Sequence, residues 1–90
     1  MNNKKISIIT VCKNAEKTIA KTINSINNQT YNNIEHIVID GKSKDSTYNI
    51  AREKKILPGL IKSEKDISAE DAMNKSIKYS TGEIIFFFKC

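Results

Sequence analysis

Short β-branched runs alternate along this chain with stretches whose apolar residues recur every three or four positions. Ile6-Ser7-Ile8-Ile9-Thr10-Val11 reads as a strand covered on both faces, as parallel strands are. Beyond it Ala15, Ile19, Ile23 and Ile26 fall on one face and Lys17, Lys21 and Asn24 elsewhere, which predicts an amphipathic helix lying on a sheet. Asn14 is the expected N-cap of that helix, and Glu16 places negative charge in its first turn, where the helix dipole favours it. Asn27 to Asn33 form the return loop.

A second buried strand, Ile34 to Asp40, ends in a carboxylate and then a glycine, Gly41. Ser43 or Asp45 caps a helix of about Ser46 to Lys55, which carries Ile50 and Ala51 inward and is stopped by Pro58-Gly59. Leu60-Ile61-Lys62 is a short third strand. Ser68-Ala69-Glu70-Asp71 is close to a capping box, and the helix it opens sets Ala69, Ala72, Met73, Ser76, Ile77 and Ser80 on one small-residue face. Gly82 suits its C′ position, and Glu83 to Phe88 is a fourth strand. The order βαβαβαβ with short connections predicts an α/β fold, a Rossmann-like half with a mainly parallel sheet of about four strands and helices on both faces. Ninety residues allow one domain, 1–90.

Composition narrows the function. The net charge of +5 comes from lysines scattered along the chain and one arginine, Arg52, without the clustered stripe or interleaved aromatics of a nucleic-acid groove. No nucleic-acid partner is expected; an anionic ligand, or peripheral association with an anionic membrane, fits the sign of the field. The apolar run Ile84 to Phe88 is far too short to span a bilayer, and no signal peptide is visible, so cytoplasmic localisation is the expectation. Cys12 and Cys90 lack metal spacing and neighbouring histidines, and Cys12 reads as a small packing residue.

The loop after the first strand holds no glycine, which argues against a dinucleotide fingerprint or a P-loop. Carboxylates remain at or near strand ends: Asp40 after the second strand, Asp66 after the third, Glu16 by the first helix. Ligands of open α/β sheets bind outside the carboxyl ends of the strands, where such a group can accept hydrogen bonds from a base or ribose. The residues alone leave two readings of Asp40 open, ligand contact or turn aspartate beside Gly41. Asp66 reads as readily as a helix cap, and His36 as a packed or surface histidine.

Three segments in order, Ile8 to Glu16, Ser25 to Tyr31 and Ile39 to Thr47, resemble the opening of a family 2 glycosyltransferase. Ser63 to Asp66, Asp71 to Ser76 and Ser80 to Ile85 extend the resemblance across essentially the whole chain. It implies the GT-A fold and transfer of a sugar from a nucleotide diphosphate donor, commonly in building surface polysaccharides. It also implies that Thr10, Val11, Asn14 and Glu16 line the nucleotide pocket, that Asp40 contacts the base, and that Asp66 lies in a loop near the donor. The sequence departs from the pattern at Lys13, where the family has tyrosine, and at Lys42 and Ser46, where it has glycine.

After its fourth strand the family continues Phe-Leu-Asn-(Ser or Ala)-Asp-Asp, whose carboxylates hold a divalent metal, Mn or Mg, on the donor diphosphate. Here the strand runs Phe86-Phe87-Phe88-Lys89-Cys90, so no catalytic or metal-binding residue is expected in this chain. A metal cofactor is expected only of a longer relative. One coding of the last five residues is TTT TTT TTT AAA TGC, and loss of one T from it would give Phe-Phe-Leu-Asn-Ala, which suggests a slipped tract as the origin of the difference. The expectation is thus a nucleotide-sugar-binding part, inactive in transfer by itself. A non-enzymatic Rossmann-like module that binds a nucleotide or a partner is the alternative. The apolar strand Ile84 to Phe88, left as a sheet edge, is an expected site of self-association.

Overall fold

The computed structural model describes residues 3–65 and 68–90. Its elements follow the order β1 (Ile6–Cys12), α1 (Ile19–Asn27), β2 (Ile34–Asp40), α2 (Thr47–Lys54), β3 (Ile61–Ser63), α3 (Ala69–Ile77) and β4 (Ile84–Lys89). All four strands are parallel and lie in the order β3-β2-β1-β4. The α/β, Rossmann-like half-sheet expected from the sequence is therefore the observed one.

β1 is the hub. It pairs with β2 from Ile6↔Ile34 to Cys12↔Asp40 and with β4 from Ile6↔Ile84 to Val11↔Lys89. Every residue of β2 is buried, as is all of β1 after Ile6. On one face Cys12 and Val38 pack against Ile19 and Ile23 of α1 and Ala51 of α2, while Ile8 and Ile34 meet Ile26. On the other face Ile9, Val11, Ile37 and Ile39 pack against Ala72 of α3, with Met73, Tyr79 and Ile85 at the margin. The three buried isoleucines of α1 are the residues its sequence periodicity selects, and burying each contributes about 1.5–3 kcal/mol before the entropy of ordering is counted.

Two helix boundaries differ instructively from the expected ones. α1 begins at Ile19 with Thr18 as its cap residue, not at Asn14, so Glu16 lies outside its first turn. The cause is at Asn14, whose φ of 50° leaves the helical region. α3 ends at Ile77, which leaves Ser80 beyond the helix and Gly82 four residues past the C-cap Lys78. Ser68 caps α3 as expected, its side chain accepting from the N–H of Asp71 at 3.2 Å.

Gly82 has a different task. Its N–H donates to Ser7 Oγ at 2.8 Å, and a Cβ placed there would stand 2.4 Å from that oxygen and 2.7 Å from the Ser7 nitrogen. The same serine donates to Glu35 Oε2 at 2.5 Å, and that carboxylate accepts from the Thr81 N–H at 2.6 Å and pairs with Lys5 at 3.5 Å. Burial alone would raise the pKa of Glu35, but the bonds from Ser7 and Thr81 and the charge of Lys5 hold it below its ordinary value. This buried cluster ties the entry of β4 to β1 and β2. Gly82→Ala should force β4 away from Ser7 and lower stability by about 1–3 kcal/mol, read as a fall in the urea midpoint at unchanged m-value.

Candidate functional site

β1 to β2 to β3 progress across the sheet in one direction, with α1 and α2 on one face; α3 then crosses the other face and delivers β4 to the far side of β1. Strand order reverses between β1 and β4, and a crevice opens outside the carboxyl ends of strands at such a switch point. It is lined by Val11, Cys12 and Lys13 after β1, Gly41 after β2, Lys89 and Cys90 from β4, and Ser68, Ala69 and Ala72 at the start of α3. Its volume is about 220 Å³, below the roughly 300–1,000 Å³ of complete small-molecule sites. A second depression of about 450 Å³ adjoins it over Lys13 to Thr18 and Asp45.

Two loops wall this region, and each is held by the other. The N–H of Asn14 donates to Ser43 Oγ at 2.8 Å, and the Lys44 N–H donates back to Asn14 Oδ1 at 2.8 Å. The Ala15 N–H donates to Thr47 Oγ1 at 2.7 Å, the Glu16 N–H to Asp45 Oδ2 at 3.3 Å, and the Ser46 N–H to Glu16 Oε2 at 3.2 Å. The hydroxyl and N–H of Thr47, with the Glu16 N–H, hold the Asp45 carboxyl below its ordinary pKa. Backbone groups that a helix N-terminus would leave open are thus satisfied across the crevice mouth.

Asp40 stands at the carboxyl tip of β2, as expected, but 1% exposed. Its Oδ2 accepts from the Ser43 N–H at 3.1 Å and from Ser63 Oγ at 2.8 Å, while Oδ1 accepts from Ser43 Oγ. A carboxylate offers about four acceptor positions, and three are taken within the fold. Thr10 is also fully buried, its Oγ1 2.8 Å from His36 Nε2. Of the sequence candidates, then, Val11 lines the crevice and Asn14 and Glu16 the depression beside it. Thr10 and Asp40 lie beneath the floor, and Asp66 falls outside the described residues.

Sequence reasoning passed over Lys13, Gly41 and Lys89 as lining residues and Ser43 and Ser63 as the partners of Asp40. The position of Gly41 directly after a strand-end carboxylate was the available signal. Cys12 and Cys90 pack together at the crevice wall, their thiols donating to the carbonyls of Ile39 at 3.8 Å and Val11 at 3.7 Å; the neighbouring thiol and burial push the pKa of Cys12 up, and the same neighbour draws that of Cys90 down. Among the described residues no three of His, Cys, Asp and Glu converge as a metal site, so the donor set for a divalent ion is not met there. No helix among them is long and apolar enough to cross a membrane.

This crevice at the reversal of a parallel sheet can be set beside known proteins. Residues 7–89 match the model of the family described as glycosyl transferase family 2. The chain belongs to that family. An uncharacterised glycosyltransferase of Mycobacterium tuberculosis is 36% identical over 85 residues, covering 91% of this chain and 32% of the relative. An Escherichia coli enzyme named UDP-Glc:alpha-D-GlcNAc-diphosphoundecaprenol beta-1,3-glucosyltransferase is 35% identical over 88 residues, 97% of this chain and 35% of its own. The mannosyltransferase of Pyrobaculum calidifontis in complex with GDP-Man and Mn2+ superposes with a TM-score of 0.84 at 22% identity, over 94% of this chain and 27% of that one, which establishes the GT-A fold. The chain spans about a third of the length of the curated relatives it matches.

Two outcomes test this geometry. Lys42 holds φ at 55°, a left-handed conformation that costs a residue with a Cβ. Lys42→Gly should therefore stabilise by about 0.5–1 kcal/mol in denaturant titration, the relief of strain outweighing the added freedom of the unfolded chain. His36 is fully buried with Nδ1 unpartnered, and burial together with the charge of Lys55 pushes its pKa down to about 4. The unfolded chain then binds the extra proton first, so stability is complete above the ordinary value of 6.5 and is lost as pH falls toward 4. The loss over that window is about 3 kcal/mol; in His36→Gln the slope of stability against pH between 6.5 and 4 should flatten.

Proposed function

We propose that this chain is the nucleotide-binding part of a family 2 glycosyltransferase and receives the nucleoside diphosphate of a nucleotide-sugar donor in the β1/β4 crevice. One observation carries the reading: Val11, Lys13 and Gly41 converge at the carboxyl ends of β1 and β2, at the switch point of a parallel sheet. Val11 and Gly41 line the crevice where a base would lie. Lys13 and Lys89 set two cations at the mouth, matched to a diphosphate. Asn14 and Glu16 form the adjoining wall. Thr10 and Asp40 contribute from below, Asp40 by fixing the turn through Ser43 and thereby the backbone of Gly41. Asp66 keeps the role near the donor that the family resemblance implies.

We infer further that the ninety residues bind without transferring sugar. The described residues assemble no divalent-ion site to neutralise a leaving diphosphate, and the matched relatives are about three times as long. Escherichia coli relatives named for transfer to an alpha-D-GlcNAc-diphosphoundecaprenol, and an Erwinia amylovora relative named for amylovoran biosynthesis, support a role in surface-polysaccharide assembly. A peripheral position at a membrane agrees with the net charge of +5.

Titration of the chain with UDP, GDP and their sugars, followed by amide NMR, tests the proposal. Shifts should concentrate at Val11, Lys13, Asn14 and Gly41, and Lys13→Glu should weaken binding about tenfold. Absence of saturable shifts with every nucleotide tried overturns the binding reading, and sugar transfer by the purified chain overturns the inference of inactivity.

A further inference from the structure

We propose that Cys12 and Cys90 are a dithiol modification site, which a small-molecule disulfide such as oxidised glutathione converts into a reversible covalent staple between the tips of β1 and β4. They are the only cysteines of the chain, both carry free thiols, and both line the crevice.

Strand pairing sets them side by side. β4 runs parallel to β1 as far as Val11↔Lys89, and the next step of that register puts Cys90 beside Cys12. Neighbouring strands stand about 4.8 Å apart, within the roughly 4.4–6.8 Å between Cα atoms that a disulfide needs. Register partners point to the same face of a sheet, and both thiols belong to one core cluster with Ile19, Ile23 and Val38. Both backbones are fastened. The Cys12 carbonyl accepts from the Gly41 N–H at 2.9 Å, and the Cys90 N–H donates to the Val11 carbonyl at 3.1 Å. The thiols are held only by long bonds to carbonyls, Ile39 at 3.8 Å and Val11 at 3.7 Å, and a thiol is a weak donor with little to give up.

The two sulfurs differ in the way a stepwise exchange requires. Cys12 is 5% exposed, whereas Cys90 is half-buried and also borders the depression over Lys13 to Thr18. Exposed Lys13 and Lys89 set positive charge at the opening, which draws an anionic disulfide toward it. Cys90, its pKa drawn down by the neighbouring thiol, attacks one sulfur of glutathione disulfide as a thiolate and displaces one glutathione thiolate. The pKa of Cys12 is raised first by the Cys90 thiol and then by burial. In the mixed disulfide Cys90 carries no charge, so the first of these obstacles is gone. Cys12 then loses its proton, attacks Sγ of Cys90 and releases the second glutathione. Two protein thiols are oxidised, one glutathione disulfide is reduced to two glutathione thiols, and both protons leave with them. Excess glutathione runs the sequence backwards.

The chain held in glutathione redox buffers, quenched with an alkylating agent and weighed by mass spectrometry, tests this. The native chain should lose two hydrogens, join Cys12 to Cys90 within one molecule, retain no glutathione, and recover both thiols on reduction. Cys12→Ser should stop at the mixed disulfide on Cys90, and Cys90→Ser should keep its thiol free. An unfolded chain can also join its two cysteines, so the deciding figure is the equilibrium constant against glutathione, native over urea-unfolded. Thiols already placed side by side should make it at least about tenfold larger in the native chain, and the oxidised chain should show the higher urea midpoint. A smaller ratio, a lasting mixed disulfide on the unaltered chain, or a bond formed only between molecules would each overturn the proposal. Oxidation is followed without nucleotide, so its outcome is independent of the binding titration.

Discussion

The structure depends on β1 having a strand on each side. Its backbone groups are buried, and a buried N–H or C=O without a partner costs more than a made bond gains, so β2 and β4 must both lie in register against it. Side chains pin that register. Ser7, Glu35, Thr81 and Gly82 form one knot near the amino ends of the strands, Thr10 and His36 a second at mid-strand, and Asp40 with Ser63 a third at the carboxyl end. Slipping any strand by one residue would turn these polar groups into apolar layers and leave them unpaired. Fixing the register fixes where the strands end, and the crevice opens at those ends beneath the start of α3.

Much of the fold was legible because each element carries a pattern of its own. The β-branched runs mark β1 and β2, the isoleucines of α1 recur at helical spacing, and Ser68 caps α3. Misplaced features had causes far away in sequence. α1 starts late because the loop before it is bonded to residues 43–47, about 30 positions on, and no local pattern reports such a contact. Gly82 reads locally as a helix terminator, whereas its reason is Ser7 across the sheet.

The site was legible in location more than in contacts. A strand-end carboxylate marks the end of the sheet where the crevice opens; Val11 lines that crevice, and Asn14 and Glu16 line the depression beside it. Yet a carboxylate at a strand end can face a ligand or its own turn, and only the positions of Ser43 and Ser63 show the turn filling three acceptor sites of Asp40. Lys13 and Gly41 have no chemical signature in a lysine-rich chain. They come to line the crevice through topology, by standing where strand order reverses.

The two edges of the sheet are built differently, and the difference bears on the crevice. β3 is short and partly covered by the Leu60 and Tyr79 side of the core, as edges that remain solvent-facing tend to be. β4 has the composition of an interior strand in an edge position. That same strand carries Lys89 and Cys90 into the crevice wall, with Cys90 fastened to β1 through its N–H on Val11. The parallel pairing of β4 along β1, from Ile6↔Ile84 to Val11↔Lys89, is therefore what holds that wall of the crevice in place.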